Sequence, residues 1–408
     1  MAGFLKNILL FHLLPAGIAL GLAFVFLRTG YAGPRQPVAS RFSANTLSSL
    51  HNFDRFYPND ITHEMTLVVA LKKGVPVLFG SSELTSHHLP GIAYRFFCRE
   101  NSNDQFLAVG HAGFQCLAIL TTLAANRPVL KESRITIILS PGWFEKQYAS
   151  GTSLSSFFEF CPPDYLYQIY RDSSLDASTR RHLEQYLYTN YDKISKPDAV
   201  LRAMGKKKAL PLSPFFNYPF QKTDEAEIAL QEQRDFYLTA QHRLMTQLSG
   251  LAVKPYLFGD RKVNWDSLFG ASEASFRLIS NTNTIGVENS YYESWLKDRP
   301  KKKVEAVDAA YNQEYKDFEA LLHFLEANRI KPLFVIMPLN PLAHENLETL
   351  SPTIQQVSLR LKEKGFKTLN MYEQNVSSYR KGVLEDIMHP YDLGWYQIDR
   401  FILSNYHD

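Results

Sequence analysis

Cysteine is scarce in this chain, and its scarcity excludes two kinds of architecture. Three cysteines occur among 408 residues, Cys98, Cys116 and Cys161, so at most one disulfide can form. None of the three stands at the spacing of a zinc-ligand pair, so the pattern indicates neither a disulfide framework nor a structural zinc site. We interpret all three as buried, small apolar residues, and we expect no metal and no cofactor.

The chain also lacks a strong net charge. Lys and Arg number 44 against 41 Asp and Glu, which leaves a formal net charge of only +3. This balance, without the basic and aromatic motifs of RNA or DNA binders, argues against a nucleic-acid partner. It is compatible with a polyanionic substrate or an anionic membrane surface. Two short basic clusters, residues 206–208 and 299–303, could contact such a surface, although most charge runs are solvated loops.

One stretch near the N-terminus has no charged side chain at all. Residues 8–27 form an apolar run, and about 20 such residues span a hydrocarbon core of roughly 30 Å. The run predicts one uncleaved transmembrane helix. A signal peptide cleaved near residues 30–32 is the alternative, but its apolar region is expected to be only about 7 to 15 residues long. The flanking basic residues would by themselves favour a cytoplasmic C-terminus.

The rest of the chain has ample material for a folded core, since 45% of all residues are hydrophobic and 13% are aromatic. Five strand-like runs, most of them apolar, alternate with helical patterns, which predicts the α/β class with a doubly wound parallel sheet of about five strands. The runs comprise residues 75–79, 106–109, 135–139, 332–337 and 368–371.

Residues 150–250 interrupt this alternation, because they contain helical patterns and no strand run of note. We therefore predict a helical insertion, with helices at 178–191 and 224–248, and further helices at 304–328, 351–364 and 394–405. The predicted organisation is a membrane anchor (1–28), a lead segment (29–65), the first part of the α/β domain (66–150), the insertion (151–250), and a loop-rich segment with the second part of the α/β domain (251–408).

The first apolar run ends in a turn of small residues that carries hydroxyl groups, Gly80-Ser81-Ser82. Open α/β sheets place their ligands at the carboxyl ends of parallel strands, so this turn is a candidate site and Ser82 a candidate nucleophile. A Gly-Ser turn that merely caps a helix is the alternative from this stretch alone, because Ser is a favoured N-cap residue.

A second element, close to the C-terminus, completes the chemistry that a serine nucleophile needs. Asp386 precedes His389 by three residues, so one short loop can supply both a base and the carboxylate that orients it. We predict that Ser82, Asp386 and His389 converge at the carboxyl edge of the sheet as a catalytic triad, with Gly113 beside Ser82.

The order of these residues resembles a known superfamily. Position 84 is Leu, so the G-x-S-x-G elbow of the α/β-hydrolases is not matched. An early Gly-x-Ser with a late Asp-x-x-His resembles the SGNH (GDSL-like) hydrolases instead. Two sequence motifs, Phe-Gly-Ser-Ser-Glu-Leu (79–84) and Asp-x-x-His-Pro-x-x-x-Gly-Trp (386–395), resemble those of the DltD family of teichoic acid D-alanylation.

The resemblance also implies an oxyanion site, formed by the backbone amides of Ser82 and Gly113. The turn 110–113 follows the second apolar run, where SGNH enzymes carry a glycine whose amide joins that of the nucleophile. A dinucleotide-type turn or a simple helix entry is the alternative, but the third glycine of that fingerprint is absent. A third donor is not assigned, because the SGNH Gly-x-Asn-Asp is missing after residue 139 and Gly142 replaces the Gln of the DltD-like Ser-Pro-Gln-Trp-Phe.

The resemblance further implies a substrate and partners. It implies that D-alanyl groups pass through a Ser82 ester to the glycerol-phosphate hydroxyls of lipoteichoic acid. The implied partners are a membrane O-acyltransferase, a small membrane peptide and a D-alanyl carrier protein. The implied location is the cell membrane, single-pass with the catalytic domain outside, which is opposite to the orientation that the flanking charges favour.

Two other functions remain open at this point. An SGNH esterase or O-acetyltransferase acting on another surface glycan would use the same triad, because nothing in the spacing selects an amino acid over an acetyl group. A non-catalytic scaffold for the D-alanylation machinery is the second, and the presence of all three triad residue types argues against it.

Overall fold

The structure is a computed structural model that describes residues 61–85, 89–97, 106–131, 133–195, 197–205, 228 and 262–406. The predicted transmembrane helix at 8–27, the lead segment up to residue 60, nearly all of the predicted helix 224–248, the basic cluster 206–208 and Cys98 lie outside these residues. Within the described ranges, no helix combines the length and the apolar character needed to cross a bilayer.

A five-stranded, fully parallel sheet forms the centre of the fold, which confirms the predicted α/β class. The described residues contain seven strands, five of which form this sheet: β1 (Val77–Phe79), β2 (Leu107–Val109), β3 (Ile135–Leu139), β4 (Lys302–Lys303), β5 (Leu333–Ile336), β6 (His344–Glu345) and β7 (Thr368–Asn370). The main sheet has the order β2-β1-β3-β5-β7, while β4 and β6 form a separate parallel pair. Each predicted strand run therefore supplies one strand of the sheet, which fits an SGNH-like fold.

Helices cover both faces of the sheet. They are α1 (Ile61–Lys73), α2 (Ala93–Phe97), α3 (Cys116–Ala125), α4 (Leu154–Phe160), α5 (Pro163–Arg171), α6 (Ala177–Asn190), α7 (Ala199–Gly205), α8 (Trp265–Ile279), α9 (Gln313–Ala327), α10 (Ser351–Glu363) and α11 (Asp392–Tyr406). Val77 and Phe79 pack into one core with α1, α3, α9 and α10. Leu78 packs into a second core with α2, α8 and α11. Alternating residues of β1 are thus buried on opposite faces, as expected for a covered parallel strand.

In the described part of the predicted insertion, residues 151–205 contain the helices α4 to α7 and no strand. Its large side chains do not form a separate hydrophobic core. Phe157, Phe160, Tyr165 and Leu183 join the first hydrophobic core beside α3 and α9, so these helices extend one face of the sheet. This burial fixes the insertion against the α/β domain because each such side chain contributes about 2 kcal/mol when removed from water.

The structure corrects the start of one predicted helix and shows a helix in a segment that was predicted to be loop-rich. The predicted helix 304–328 begins only at Gln313, because Val304 donates its amide to the Glu345 carbonyl and extends the β4–β6 pairing. The Asn312 side chain then accepts the Tyr315 amide and caps α9. The segment 251–300, predicted to be loop-rich, contains the 15-residue helix α8. Its start signal is Asn264, whose side chain accepts the Ser267 amide.

Cys116 and Cys161 are both buried in the first hydrophobic core, as expected for small apolar residues. The described basic cluster, 299–303, is engaged in local contacts. The Arg299 guanidinium lies 5.4 Å from the centre of the Trp295 ring, and Lys302 pairs with the buried carboxylate of Glu145 at 3.1 Å. These contacts and the strand β4 fix the cluster to the fold, so its last two residues do not form the solvated loop that is typical of charge runs.

Candidate active site

Ser82 lies at the carboxyl end of β1, at the start of a single 3₁₀ turn, Ser82–Thr85. The strand ends because the Gly80 amide makes the last ladder bond, to the Val109 carbonyl at 3.1 Å, and the Ser81 carbonyl then accepts the Leu84 amide and closes the turn. Ser82 is half-buried whereas its neighbours Ser81 and Glu83 are buried. Among residues 81–83, the nucleophile candidate thus has the most accessible side chain.

The turn after β2 approaches this turn very closely. Gly110 has φ +119°, and a Cβ added to it would lie 2.0 Å from the Gly80 carbonyl oxygen. Only glycine fits where two backbones meet in this way. This contact holds the segment 110–113 against the segment 80–82, so the two turns that the sequence marks as site edges form one surface.

The loop 385–390 carries the two remaining candidate residues and is shaped by its own carboxylate. Asp386 Oδ1 accepts the amides of Met388 and His389, each at 2.7 Å. The Glu385 amide donates to the His389 carbonyl, and the Asn340 amide, at the end of β5, donates to the Ile387 carbonyl. These bonds place the loop above the ends of β1 and β5.

The structure brings Ser82, His389 and Asp386 together in one hydrogen-bonded chain. Ser82 Oγ lies 2.9 Å from His389 Nε2, and His389 Nδ1 lies 2.6 Å from Asp386 Oδ2. The tautomer with its proton on Nδ1 satisfies both bonds, because the ring then donates to the carboxylate and accepts from the hydroxyl. Both separations are within the range that proton transfer requires.

The electrostatics of the chain favour an ionised aspartate and a basic imidazole. Burial acts to raise the pKa of Asp386, but the hydrogen bonds from His389 and from the loop amides outweigh it, so the pKa is lowered. Burial acts to lower the pKa of His389, but the bond to the Asp386 carboxylate outweighs it, so the pKa is raised. A carboxylate that orients a histidine and increases its basicity has these properties.

The amide of Gly113 contacts Ser81, the residue before Ser82. The Gly113 N–H donates to Ser81 Oγ at 3.1 Å, and the Ser81 hydroxyl donates to the His111 carbonyl at 3.2 Å. The Ser81 hydroxyl therefore links the two turns through one donor and one acceptor. The role of Gly113 as an oxyanion donor stays a prediction.

Several residues around the site were not identified from the sequence. Tyr291 and Tyr379 lie near Asp386; burial and the negative charge of Asp386 raise the pKa of Tyr291 to about 12 and raise the pKa of Tyr379 as well. His344 donates from Nδ1 to the Asn340 carbonyl at 2.9 Å, and burial lowers its pKa to about 4. No spacing signal in the sequence marks these three residues, because distant segments bring them to the loop.

Comparison with known proteins places the chain in a family. The model of the DltD protein family matches residues 55–407, a range that contains both the Ser82 turn and the Asp386–His389 loop. The chain belongs to the DltD family. Proteins of this family take part in the D-alanylation of teichoic acid.

Two relatives show how far the sequence of this DltD family member has diverged. Protein DltD of Bacillus subtilis (strain 168) is 23% identical over 340 residues, and Protein DltD of Staphylococcus aureus (strain NCTC 8325 / PS 47) is 22% identical over 339 residues. Each alignment covers 80% of this chain and 80% of the relative. The similarity therefore extends over the α/β domain as a whole rather than over one motif.

Proposed function

We propose that this protein is a serine acyltransferase that transfers D-alanyl groups onto teichoic acid. The observation that carries the proposal is the continuous chain from Ser82 Oγ through His389 to Asp386, with separations of 2.9 and 2.6 Å. A hydroxyl, a base and an orienting carboxylate at these distances are the constellation of covalent acyl transfer.

In the first half of the proposed reaction, Ser82 Oγ attacks the carbonyl carbon of the acyl donor while its proton passes to His389 Nε2. The imidazolium returns that proton to the leaving group, which departs and leaves a Ser82 ester. In the second half, His389 takes the proton of an acceptor hydroxyl, the acceptor oxygen attacks the ester, and Ser82 recovers its proton. Asp386 stabilises the imidazolium in both halves.

The negative oxygen that develops on the carbonyl needs fixed hydrogen-bond donors. We assign the amides of Ser82 and Gly113 to this role, each preorganised donor being worth about 3 kcal/mol of barrier. In the resting site the Gly113 amide donates to Ser81 Oγ, so this bond has to open before the amide can donate to the oxyanion.

Family membership supports the choice of acyl group and acceptor. In this proposal the D-alanyl group comes from a carrier protein by way of a membrane O-acyltransferase, with a small membrane peptide as a further partner, and the hydroxyls of lipoteichoic acid accept it outside the cell membrane. The near-neutral charge of the chain, +3, permits contact with such a polyanion without tight trapping by it.

The acyl group is tested with the full-length protein and simple esters. We expect D-alanyl esters of a glycerol-phosphate acceptor to be cleaved or formed in a Ser82-dependent manner, and acetyl esters of the same acceptor to react much more slowly. The measurement is release of D-alanine against release of acetate, with Ser82→Ala as the blank. Faster turnover of acetyl esters would identify an O-acetyltransferase or esterase of another glycan instead.

The proposed anchor is tested on protein from its native membrane. If residues 8–27 span the bilayer uncleaved, the mature protein keeps Met1 or Ala2 and needs detergent to stay in solution, because about 20 apolar residues are then exposed. N-terminal sequencing or intact mass measures this directly. A mature N-terminus at Gly33 would show that the segment is a cleaved signal peptide.

A further inference from the structure

The serine turn contains a second carboxylate that the proposed mechanism does not use. Glu83 follows Ser82 directly and is only 3% exposed. Its side chain folds back over the turn, so that Oε1 accepts the Ser81 amide at 2.6 Å. A buried glutamate is costly unless it is hydrogen-bonded, so its presence beside the nucleophile needs a reason.

The first consequence of this contact is mechanical. The Ser81 amide belongs to the peptide bond between Gly80 and Ser81, and it lies before the 3₁₀ turn that presents Ser82. A glutamate that reaches back to the amide at the start of a helical turn is the arrangement of a capping box, here compressed into two residues. An added Cβ on Gly80 would lie 2.9 Å from Glu83 Oε1, so glycine leaves the room that the carboxylate fills.

The second consequence is electrostatic. Glu83 directly follows Ser82, whose Oγ lies 2.9 Å from His389 Nε2, so the carboxylate and the imidazole belong to one site. Burial raises the pKa of Glu83, while its backbone bonds and the positive charge of His389 oppose that effect. The titratable groups that face His389 are Asp386, Glu83 and Glu385, together with the Ser82 hydroxyl. Of the three carboxylates, Asp386 is bonded to the ring and Glu83 belongs to the nucleophile's own turn.

We propose that Glu83 is a positioning residue of the acyl-transfer site, whose buried carboxylate fixes the Ser82 turn through the Ser81 amide and adds a second negative charge facing His389. This inference rests on the proposed function. It assigns to one side chain two effects, a geometric one on the nucleophile and an electrostatic one on the base, and the two can be separated by substitution.

The probe is a fluorophosphonate, from whose phosphorus Ser82 Oγ displaces fluoride with the help of neutral His389. The rate of labelling is measured against pH for the full-length protein, and Ser82→Ala identifies the labelled residue. Because the carboxylates raise the pKa of His389, the acid limb of the wild-type profile is expected above the ordinary value of 6.5. This readout needs no knowledge of the acyl donor or acceptor.

Glu83→Gln keeps the shape of the side chain and an acceptor for the Ser81 amide but removes the charge. We expect the midpoint of the acid limb to move down by about one pH unit and the plateau rate to fall about threefold, because a less basic His389 is a weaker catalyst. Glu83→Asp keeps the charge but is one methylene too short for the Ser81 amide. It should leave the midpoint in place and lower the plateau.

Glu314→Gln is the matched control, because Glu314 is also fully buried and also accepts a backbone amide, that of Cys116 at 2.9 Å. Burial and the negative charge of Asp317 raise the pKa of Glu314 to about 8, and its electrostatic partners are Asp317 and Cys116 rather than His389, so the midpoint should not move. A midpoint unmoved by Glu83→Gln would overturn the electrostatic role. If Glu83→Gln fails to fold, Glu83→Asp provides the test. A plateau rate of labelling equal to that of the wild-type protein would then overturn the positioning role.

The same experiment separates this inference from the proposed function. If the wild-type protein is not labelled at Ser82, the acyl-transfer proposal fails. If Ser82 is labelled and the Glu83 variants match the wild type in midpoint and plateau, only the role of Glu83 fails.

Discussion

Ser82→Ala is expected to abolish acyl transfer, by about 10⁴-fold or more, while leaving the protein folded and in the membrane. The substitution removes the hydroxyl that lies 2.9 Å from His389 but keeps the backbone amide of residue 82 and nearly all of the packing, since the side chain is small and half-buried. His389→Ala should cost about as much, because the members of a triad act as a unit and their losses do not add. Asp386→Asn should cost as much or less, because it disturbs mainly the tautomer and orientation of His389.

The measurement is the D-alanine ester content of teichoic acid in cells whose only copy carries each substitution, with the amount of protein in the membrane checked in parallel. Ser81→Ala is the matched control: it removes the neighbouring hydroxyl, whose contacts are Gly113 and His111, and should reduce esterification only mildly. Normal esterification with Ser82→Ala would exclude the functions that need a serine nucleophile and would support the non-catalytic scaffold. A severe loss with Ser81→Ala alone would mean that Ser81 is the nucleophile.

Gly110→Ala is expected to destabilise the protein by more than about 3 kcal/mol and to disable the site at the same time. The added Cβ would lie 2.0 Å from the Gly80 carbonyl oxygen, and the backbone there has φ +119°, which side chains rarely tolerate. The nearby Phe114 ring, at 2.8 Å, also blocks the new methyl group. Relief requires the two turns to separate, and that separation moves Ser82 relative to Gly113.

Gly365→Ala is the control for this experiment. Gly365 also has a positive φ, +72°, but an added Cβ there meets nothing within 4 Å. It should therefore cost only the left-handed conformation, about 1 kcal/mol. Denaturant unfolding of the purified variants measures both changes. Equal losses for the two variants would show that the contact between the turns is not tight.

Much of the fold could be predicted because buried parallel strands have a simple sequence signature. All five predicted runs became strands of one sheet, and the strands inside the sheet are apolar because both of their faces are covered, whereas the edge strand β7 is partly exposed and contains Thr368 and Asn370. Helix boundaries were less predictable. The helix expected from residue 304 starts at Gln313 because the preceding segment pairs with β6, a contact from 40 residues away that no local pattern reveals.

The amino-acid sequence by itself determined the chemistry of the candidate site. Ser82 after an apolar run and an Asp-x-x-His near the C-terminus were recognisable because side-chain type and strand ends are local properties. The tertiary structure decided what surrounds them. The bridge from Ser81 to Gly113, the return of Glu83 to the Ser81 amide, and the placement of Tyr291 and Tyr379 near Asp386 depend on how the turns and loops pack together. Hydrogen bonds between distant backbone segments set these distances, and they form only when the sheet brings the strand ends to one edge.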